Sequence, residues 1–190
     1  MNSSPKFTVT KTQIADVLVI EPRVLGDETG WFMESFNAGD LAAAIGSDVK
    51  FVQDNQSFSK QWTLRGMHLQ TKHPQGKLVR ALQGSAFDVV VDVRKNSVTY
   101  GQWVGVELSA ENHKQMWIPP GLAHGFLVLS PIAEIFYKAT DYYHSESEVC
   151  LAWDDLDVNI NWPLPCGIEP SLSAKDGCAL TLKLWAEKSA

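Results

Sequence analysis

The feature that most constrains this chain is the rhythm of its middle section. Short runs rich in Val, Ile, Phe, Tyr and Trp recur there, and Gly, Pro, Asn or Ser clusters cut each one off. The runs cover residues 50–53, 63–69, 77–83, 86–94, 103–108, 115–118, 122–129 and 132–138. Such residues fit a pleated, half-buried surface, and a repeat of about 8–12 residues per strand plus turn is the spacing of sandwiches and barrels. No helix of crossover length separates the runs, so a parallel doubly wound sheet is disfavoured. Antiparallel strands in two sheets, closed as a double-stranded jelly roll, protect the edges of such a chain. The expected fold is therefore all-β, a β-sandwich with short peripheral helices.

The flanks add less. Residues 7–12 alternate, 17–20 form a short apolar run closed by Pro22, and 31–36 follow the turn Gly26-Asp27-Glu28-Thr29-Gly30. One short helix is expected over 41–45, capped by Asp40 and stopped by Gly46. Residues 180–187 could form a terminal strand or a helix. No repeat or linker divides the 190 residues, so 1–190 is read as a single domain.

Composition excludes several classes. The net charge of -6 makes nucleic acid an unsuitable main partner, although a local basic cluster can still hold a phosphate. Cys150, Cys166 and Cys178 are odd in number and lack CxxC spacing, which suggests neither a disulfide framework nor a zinc site. The N-terminus has no apolar signal region and no long apolar stretch occurs, so a cytoplasmic protein without membrane contact is expected.

Common motifs are also missing. There is no GxGxxG, GxSxG or HExxH, and Gln75-Gly76-Lys77-Leu78 lacks the other elements of a phosphate-binding Walker loop. Small jelly-roll enzymes often bind a metal through His-x-His with a nearby Glu. Here that stretch reads His68-Leu69-Gln70, with no Glu before Glu107. Three suitable ligands are not assembled, and no catalytic metal or cofactor is expected.

Polar residues instead concentrate in strand-like sequence at FVQDNQS, LRGMHLQ, QGKLVR, WIPPGLAHGF and YKATDYY. Strict alternation would turn Arg65 and His68 to opposite faces, but Gly66 between them signals a bulge that could bring them together. These strings, with YGQWVGVELSAEN and LSAKD, resemble the dTDP-4-dehydrorhamnose 3,5-epimerase family over about residues 17–176, in the same order. The resemblance implies a cupin-type jelly roll, a homodimer, and cofactor-free inversion beside the ketone of a dTDP-linked 4-keto-6-deoxyhexose in deoxysugar biosynthesis.

It also implies site residues. His68 resembles the base and Asp176 its carboxylate partner, which would fix the imidazole tautomer. Lys77 resembles the cation facing the enolate oxygen. Tyr137 resembles the acid on the far side, and Arg65 a diphosphate contact. Gln53, Asn55, Glu34, His124, Glu148 and Lys175 fall at or near substrate-contact positions of the family. Taken singly, each has an ordinary reading as packed histidine, loop carboxylate, strand aromatic or solvated charge; only the joint match singles them out. One departure stands out. The family's early turn reads Asp-Glu-Arg-Gly, and Thr29 replaces that arginine; either another cation compensates, with Arg23 and Lys72 as candidates, or the nucleotide is held differently. A C3-only epimerase, a non-catalytic sugar-binding cupin and a metal-dependent cupin remain as alternatives.

Overall fold

The computed structural model describes residues 6–189. Thirteen strands and two helices follow one another as β1 (Phe7–Lys11), β2 (Leu18–Pro22), β3 (Val24–Asp27), β4 (Gly30–Met33), α1 (Ala38–Ile45), β5 (Gln53–Lys60), β6 (Leu64–Gln70), β7 (Lys77–Gln83), β8 (Ser85–Asp92), β9 (Trp103–Ser109), β10 (Gln115–Ile118), β11 (Leu122–Val128), β12 (Ile132–Ala139), β13 (Glu148–Cys150) and α2 (Leu182–Lys188). They form a six-stranded sheet, β1-β2-β10-β7-β12-β5, a five-stranded sheet, β13-β6-β11-β8-β9, and a separate hairpin, β3-β4. All pairings between these strands are antiparallel, and the fold is a cupin-like jelly roll, as the strand rhythm predicts.

Alternation along each strand sorts the apolar residues into three layers. Between the sheets lie Val79, Val90, Leu108, Met116, Ile118, Phe126 and Ile135. Met67, Leu69, Val89 and Val91 face outward from the five-stranded sheet, where Leu151, Val158 and Leu182 of the C-terminal region cover them. Leu18, Ile20, Leu78 and Trp117 face outward from the six-stranded sheet beneath Leu41 of α1. Both faces of both sheets are thus occupied, and this explains why β8 and β11 read as continuous apolar runs.

Several boundaries differ from the sequence reading. The strand expected at 50–53 starts only at Gln53 and runs on to Lys60. Its polar string, QDNQSFSK, hides an edge strand whose inward positions are also polar. The helix begins at Ala38, one turn early, because Asn37 rather than Asp40 caps it: Asn37 Oδ1 accepts from the Gly39 and Asp40 amides at 3.0 and 3.1 Å. Gly46 ends it at φ 82°, as expected. The turn at 26–30 is the tip of a hairpin, so Val24–Asp27 is itself a strand and its partner stops at Met33 instead of reaching Phe36. Residues 180–187 resolve into helix α2 behind the Thr181 cap. No helix among the described residues is long and apolar enough to cross a membrane.

Candidate active site

The predicted bulge is present, and it sets the site. Across β6 and β11, His68 pairs with His124 while Arg65 pairs with Phe126, so β6 carries one extra residue. Gly66 absorbs it at φ 122°, and a Cβ there would sit 2.6 Å from Gly125 Cα and 2.8 Å from the His124 carbonyl oxygen. The extra residue reverses the parity of the strand. Arg65 and His68 therefore share the inward face, while Met67 and Leu69 pack outward. Arg65 reaches across the sandwich to β5, where its Nε donates to Ser59 Oγ at 2.9 Å.

His68 meets Asp176 from the far C-terminal loop, with 2.6 Å between Nε2 and Oδ1. Asp176 is buried and well supplied with donors. Ser173 Oγ donates to Oδ2 at 2.7 Å, and the Gly66 amide and the Cys150 thiol reach Oδ1 at 3.3 and 3.7 Å. Burial alone would raise the Asp176 pKa; the bonds from Ser173, His68 and Gly66 outweigh it and hold the carboxylate below its ordinary range. Burial and the nearby Lys175 ammonium lower the His68 pKa against the pull of Asp176. The imidazole is thus neutral near pH 7, with the ring nitrogen remote from Asp176 free to accept a proton.

The opposite wall comes from the six-stranded sheet. Lys77 and Tyr137 point inward from β7 and β12, and Lys77 Nζ lies 5.8 Å from the Tyr137 ring centroid. Desolvation brings the Lys77 ammonium down to about 8, opposed by the Asp88 and Glu148 carboxylates. Desolvation and Glu148 push the Tyr137 phenol up, so it holds its proton at neutral pH. His68, Lys77, Tyr137, Gln75, Tyr143 and Glu148 line one cleft. Glu148 accepts from Lys175 Nζ at 2.8 Å and from Tyr143 Oη at 2.9 Å, and these bonds hold it ionised despite burial.

The other expected contacts divide. Gln53 donates to Asn55 Oδ1 at 2.9 Å and accepts from the Tyr143 amide at 3.0 Å, which places both at the β5 edge of the sandwich. Asn55 Nδ2 is buried without a hydrogen-bond partner among the described residues. His124 is buried behind the wall, with Nε2 3.0 and 3.1 Å from the two Asp88 oxygens. Glu34 is not brought to the cleft of its own chain. It follows β4 at the start of the segment leading to α1, and Lys6 holds its carboxylate at 3.1 Å. Thr29 also lies outside, at the tip of the free hairpin, where its amide and hydroxyl bond Asp27 at 2.8 and 2.6 Å.

Sequence reasoning missed Asp88, Cys150 and Ser173. Asp88 is fully buried beside His124, and it acts electrostatically on Lys77. Its signal was legible: an acid at an inward position of the apolar string AFDVVVDVR. His68, Cys150 and Asp176 have donor atoms within 4.8 Å of one another, a possible metal trio. The donors are committed elsewhere, however. Asp176 accepts at least four hydrogen bonds, and burial beside Asp176 pushes the Cys150 thiol up to about 12, far from the thiolate a metal requires.

An imidazole held by a carboxylate faces a phenol and an ammonium across one cleft of a jelly roll. A model of the dTDP-4-dehydrorhamnose 3,5-epimerase family matches residues 11–183. The chain belongs to this family. It is 55% identical over 172 residues to the dTDP-4-dehydrorhamnose 3,5-epimerase of Salmonella typhimurium, covering 90% of this chain and 93% of that one. With the enzyme of the same name from Escherichia coli the identity is 53% over 177 residues, covering 93% and 95%. The fold superimposes with a TM-score of 0.92 on a dTDP-6-deoxy-D-glucose-3,5-epimerase from Legionella pneumophila solved with dTDP-4-keto-L-rhamnose, at 49% identity and 96% coverage of both chains. A 3'-monoepimerase from Streptomyces bikiniensis, in complex with dTDP-quinovose, is more distant: TM-score 0.88, 32% identity, covering 94% of this chain and 90% of that one.

Proposed function

We propose that this enzyme inverts C3 and C5 of dTDP-4-dehydro-6-deoxy-D-glucose to give dTDP-4-dehydro-L-rhamnose through enolate intermediates. The observation that carries the reading is the placement of a base and an acid on opposing sheets, His68 on β6 and Tyr137 on β12, lining the same cleft. A sugar ring between them presents one face to each. His68 takes the proton from a carbon beside the C4 ketone, and the electron pair moves to the ketone oxygen. The Lys77 ammonium stabilises that oxyanion in a site with little water. Tyr137 then donates its phenolic proton to the other face, and the carbon is inverted. Asp176 stabilises the imidazolium, and exchange with solvent resets both groups. The oxidation level never changes, so base, acid and cation side chains suffice for the reaction.

Double inversion is favoured over a C3-only reaction because the relatives at 53–55% identity are named 3,5-epimerases and the monoepimerase stands at 32%. The test is incubation with the 4-keto substrate in deuterated water, with NMR location of the label. Label at both C3 and C5 supports the reading; label at C3 alone selects the single epimerase, and no label refutes it.

A homodimer accompanies this reading. The β3-β4 hairpin joins neither sheet, and although Trp31 rests against His113 with ring centroids 4.6 Å apart, Leu25, Trp31 and Phe32 stay exposed at 51%, 60% and 69%. Apolar side chains displayed this way are stabilised by a second copy. Sedimentation that finds only monomer at micromolar concentration would contradict it.

A further inference from the structure

Two loops, residues 71–76 after β6 and residues 140–147 after β12, contribute Gln75 and Tyr143 to the lining of the cleft. Outside the catalytic groups, these loops bring together a second set of donors. The His73 and His144 rings stack with centroids 4.3 Å apart and an interplanar angle of 23°. His73 Nδ1 lies 3.6 Å from Asp141 Oδ2, and His144 Nδ1 lies 3.3 Å from Glu146 Oε1. One ligand atom from each of His73, Asp141 and His144 falls within 4.8 Å of the others.

The geometry points to a site for a borderline divalent transition-metal ion, of which Zn²⁺ is the representative, held by His73, His144 and Asp141 with Glu146 in reach as a fourth ligand. Imidazole nitrogens select such ions over Mg²⁺ or Ca²⁺, which take all-oxygen shells. A tetrahedral ion with bonds of about 2.0–2.1 Å spaces its ligand atoms about 3.4 Å apart. The His73–Asp141 separation already matches this; because an ion lies in the plane of each imidazole it binds, the two stacked rings must also turn apart about their side-chain torsions, which their 56% and 34% exposure allows.

The backbone that carries the ligands is fixed beforehand. Gln70 Nε2 donates to the carbonyls of His73 and Tyr142 at 2.7 and 3.1 Å, and its Oε1 accepts from the His144 amide at 2.6 Å. Gln75 Nε2 donates to the Asp141 carbonyl at 2.8 Å, and Thr140 Oγ1 accepts from the Gly76 amide at 2.7 Å. Two loops tied in this way lose little further entropy when an ion joins their side chains. The ion would act as a clasp across the cleft mouth, since the 140–147 loop also carries Tyr143, whose hydroxyl holds Glu148 at 2.9 Å. The clasp stands apart from the proton-transfer groups, so it does not depend on the proposed reaction.

Calorimetric titration of the chelator-treated full chain with ZnCl₂ tests the site. One ion per chain should bind. His73→Asn and His144→Asn should each weaken binding by at least about 100-fold, the upper end of what loss of even an outer-shell partner costs. Both variants should keep basal epimerase activity, which shows that they fold. Cys150→Ala should bind Zn²⁺ as the parent does, which separates this site from the donors around Asp176. Amide exchange in residues 140–147 should slow with Zn²⁺ in the parent and not in His73→Asn. Absence of stoichiometric binding, binding that survives both histidine changes, or binding lost in Cys150→Ala overturns the proposal.

Discussion

Replacing Asp176 by Asn removes a charge and keeps the shape, and the structure sets how much should be lost. The carboxylate uses its oxygens unequally: Oδ1 takes His68, the Gly66 amide and the Cys150 thiol, while Oδ2 takes only Ser173. An asparagine can keep its oxygen at the Oδ1 position and turn its NH₂ toward Ser173 Oγ, because a hydroxyl accepts as readily as it donates. His68 then keeps its tautomer, and only the stabilisation of the imidazolium disappears. Two unit charges about 4 Å apart interact by about 4 kcal/mol at an effective dielectric near 20. The His68 side chain is 23% exposed, so solvent takes a share of this. With a factor of ten for about 1.4 kcal/mol, kcat should fall by roughly 10²–10³. The His68 pKa, already lowered, should fall further without its anion, so the acid limb of kcat/KM moves to lower pH. The assay is initial rate against pH, with solvent deuterium exchange followed in parallel. A loss below about tenfold would refute the electrostatic role of Asp176. A loss of about 10⁴, the scale of a switched tautomer, would refute the asparagine orientation argued here.

Three other changes follow from the same geometry. Tyr137→Phe leaves base and cation in place, so deuterium should still enter C3 and C5 with retention while net inversion falls about 10²–10⁴-fold, as NMR of the recovered sugar would reveal; loss of exchange itself would move Tyr137 to an earlier step. Lys77→Gln should lower kcat by about 10²–10³. In the parent, rate should decline above about pH 8 as the Lys77 ammonium loses its proton, and a pH profile of the variant should lack that decline. Gly66→Ala forces a Cβ to 2.6 Å from Gly125 Cα at φ 122°. Backbone strain and overpacking each cost about 1–3 kcal/mol, so Tm should drop by at least about 4–8 °C in calorimetry, and an unchanged Tm would show that the bulge is not tight.

The polar character of β5 shows where reading the chain fails. Gln53, Asn55, Ser57 and Ser59 occupy inward positions, yet their sequence reads as loop because strand patterns are recognised by apolar alternation. Those positions meet polar partners instead of a dry core: Ser59 accepts from Arg65, and Gln53 bonds Asn55 and the Tyr143 amide. The hairpin at Val24–Met33 failed for a related reason, since its apolar residues have no core of their own chain to alternate against. Asn37 displaced Asp40 as the helix cap because either residue type can cap, and only the backbone angles at the helix start choose between them.

By itself the sequence determined the strand rhythm, the jelly-roll class and the family, and the resemblance to that family nominated the four residues of the proposed chemistry. These follow from local periodicity and from long strings that match the family in the same order along this chain. It also flagged Gly66 as the place where alternation breaks. Only the tertiary structure decided which way that break turns His68, because a one-residue register shift exists only against a partner strand, here β11. Only it brought Asp176 to His68 across 108 positions of chain, and buried Asp88 beside His124 near Lys77. Proton affinities were decided there too. A lysine pulled down to about 8 and a phenol pushed up are products of burial and neighbouring charge, which no single stretch of sequence contains.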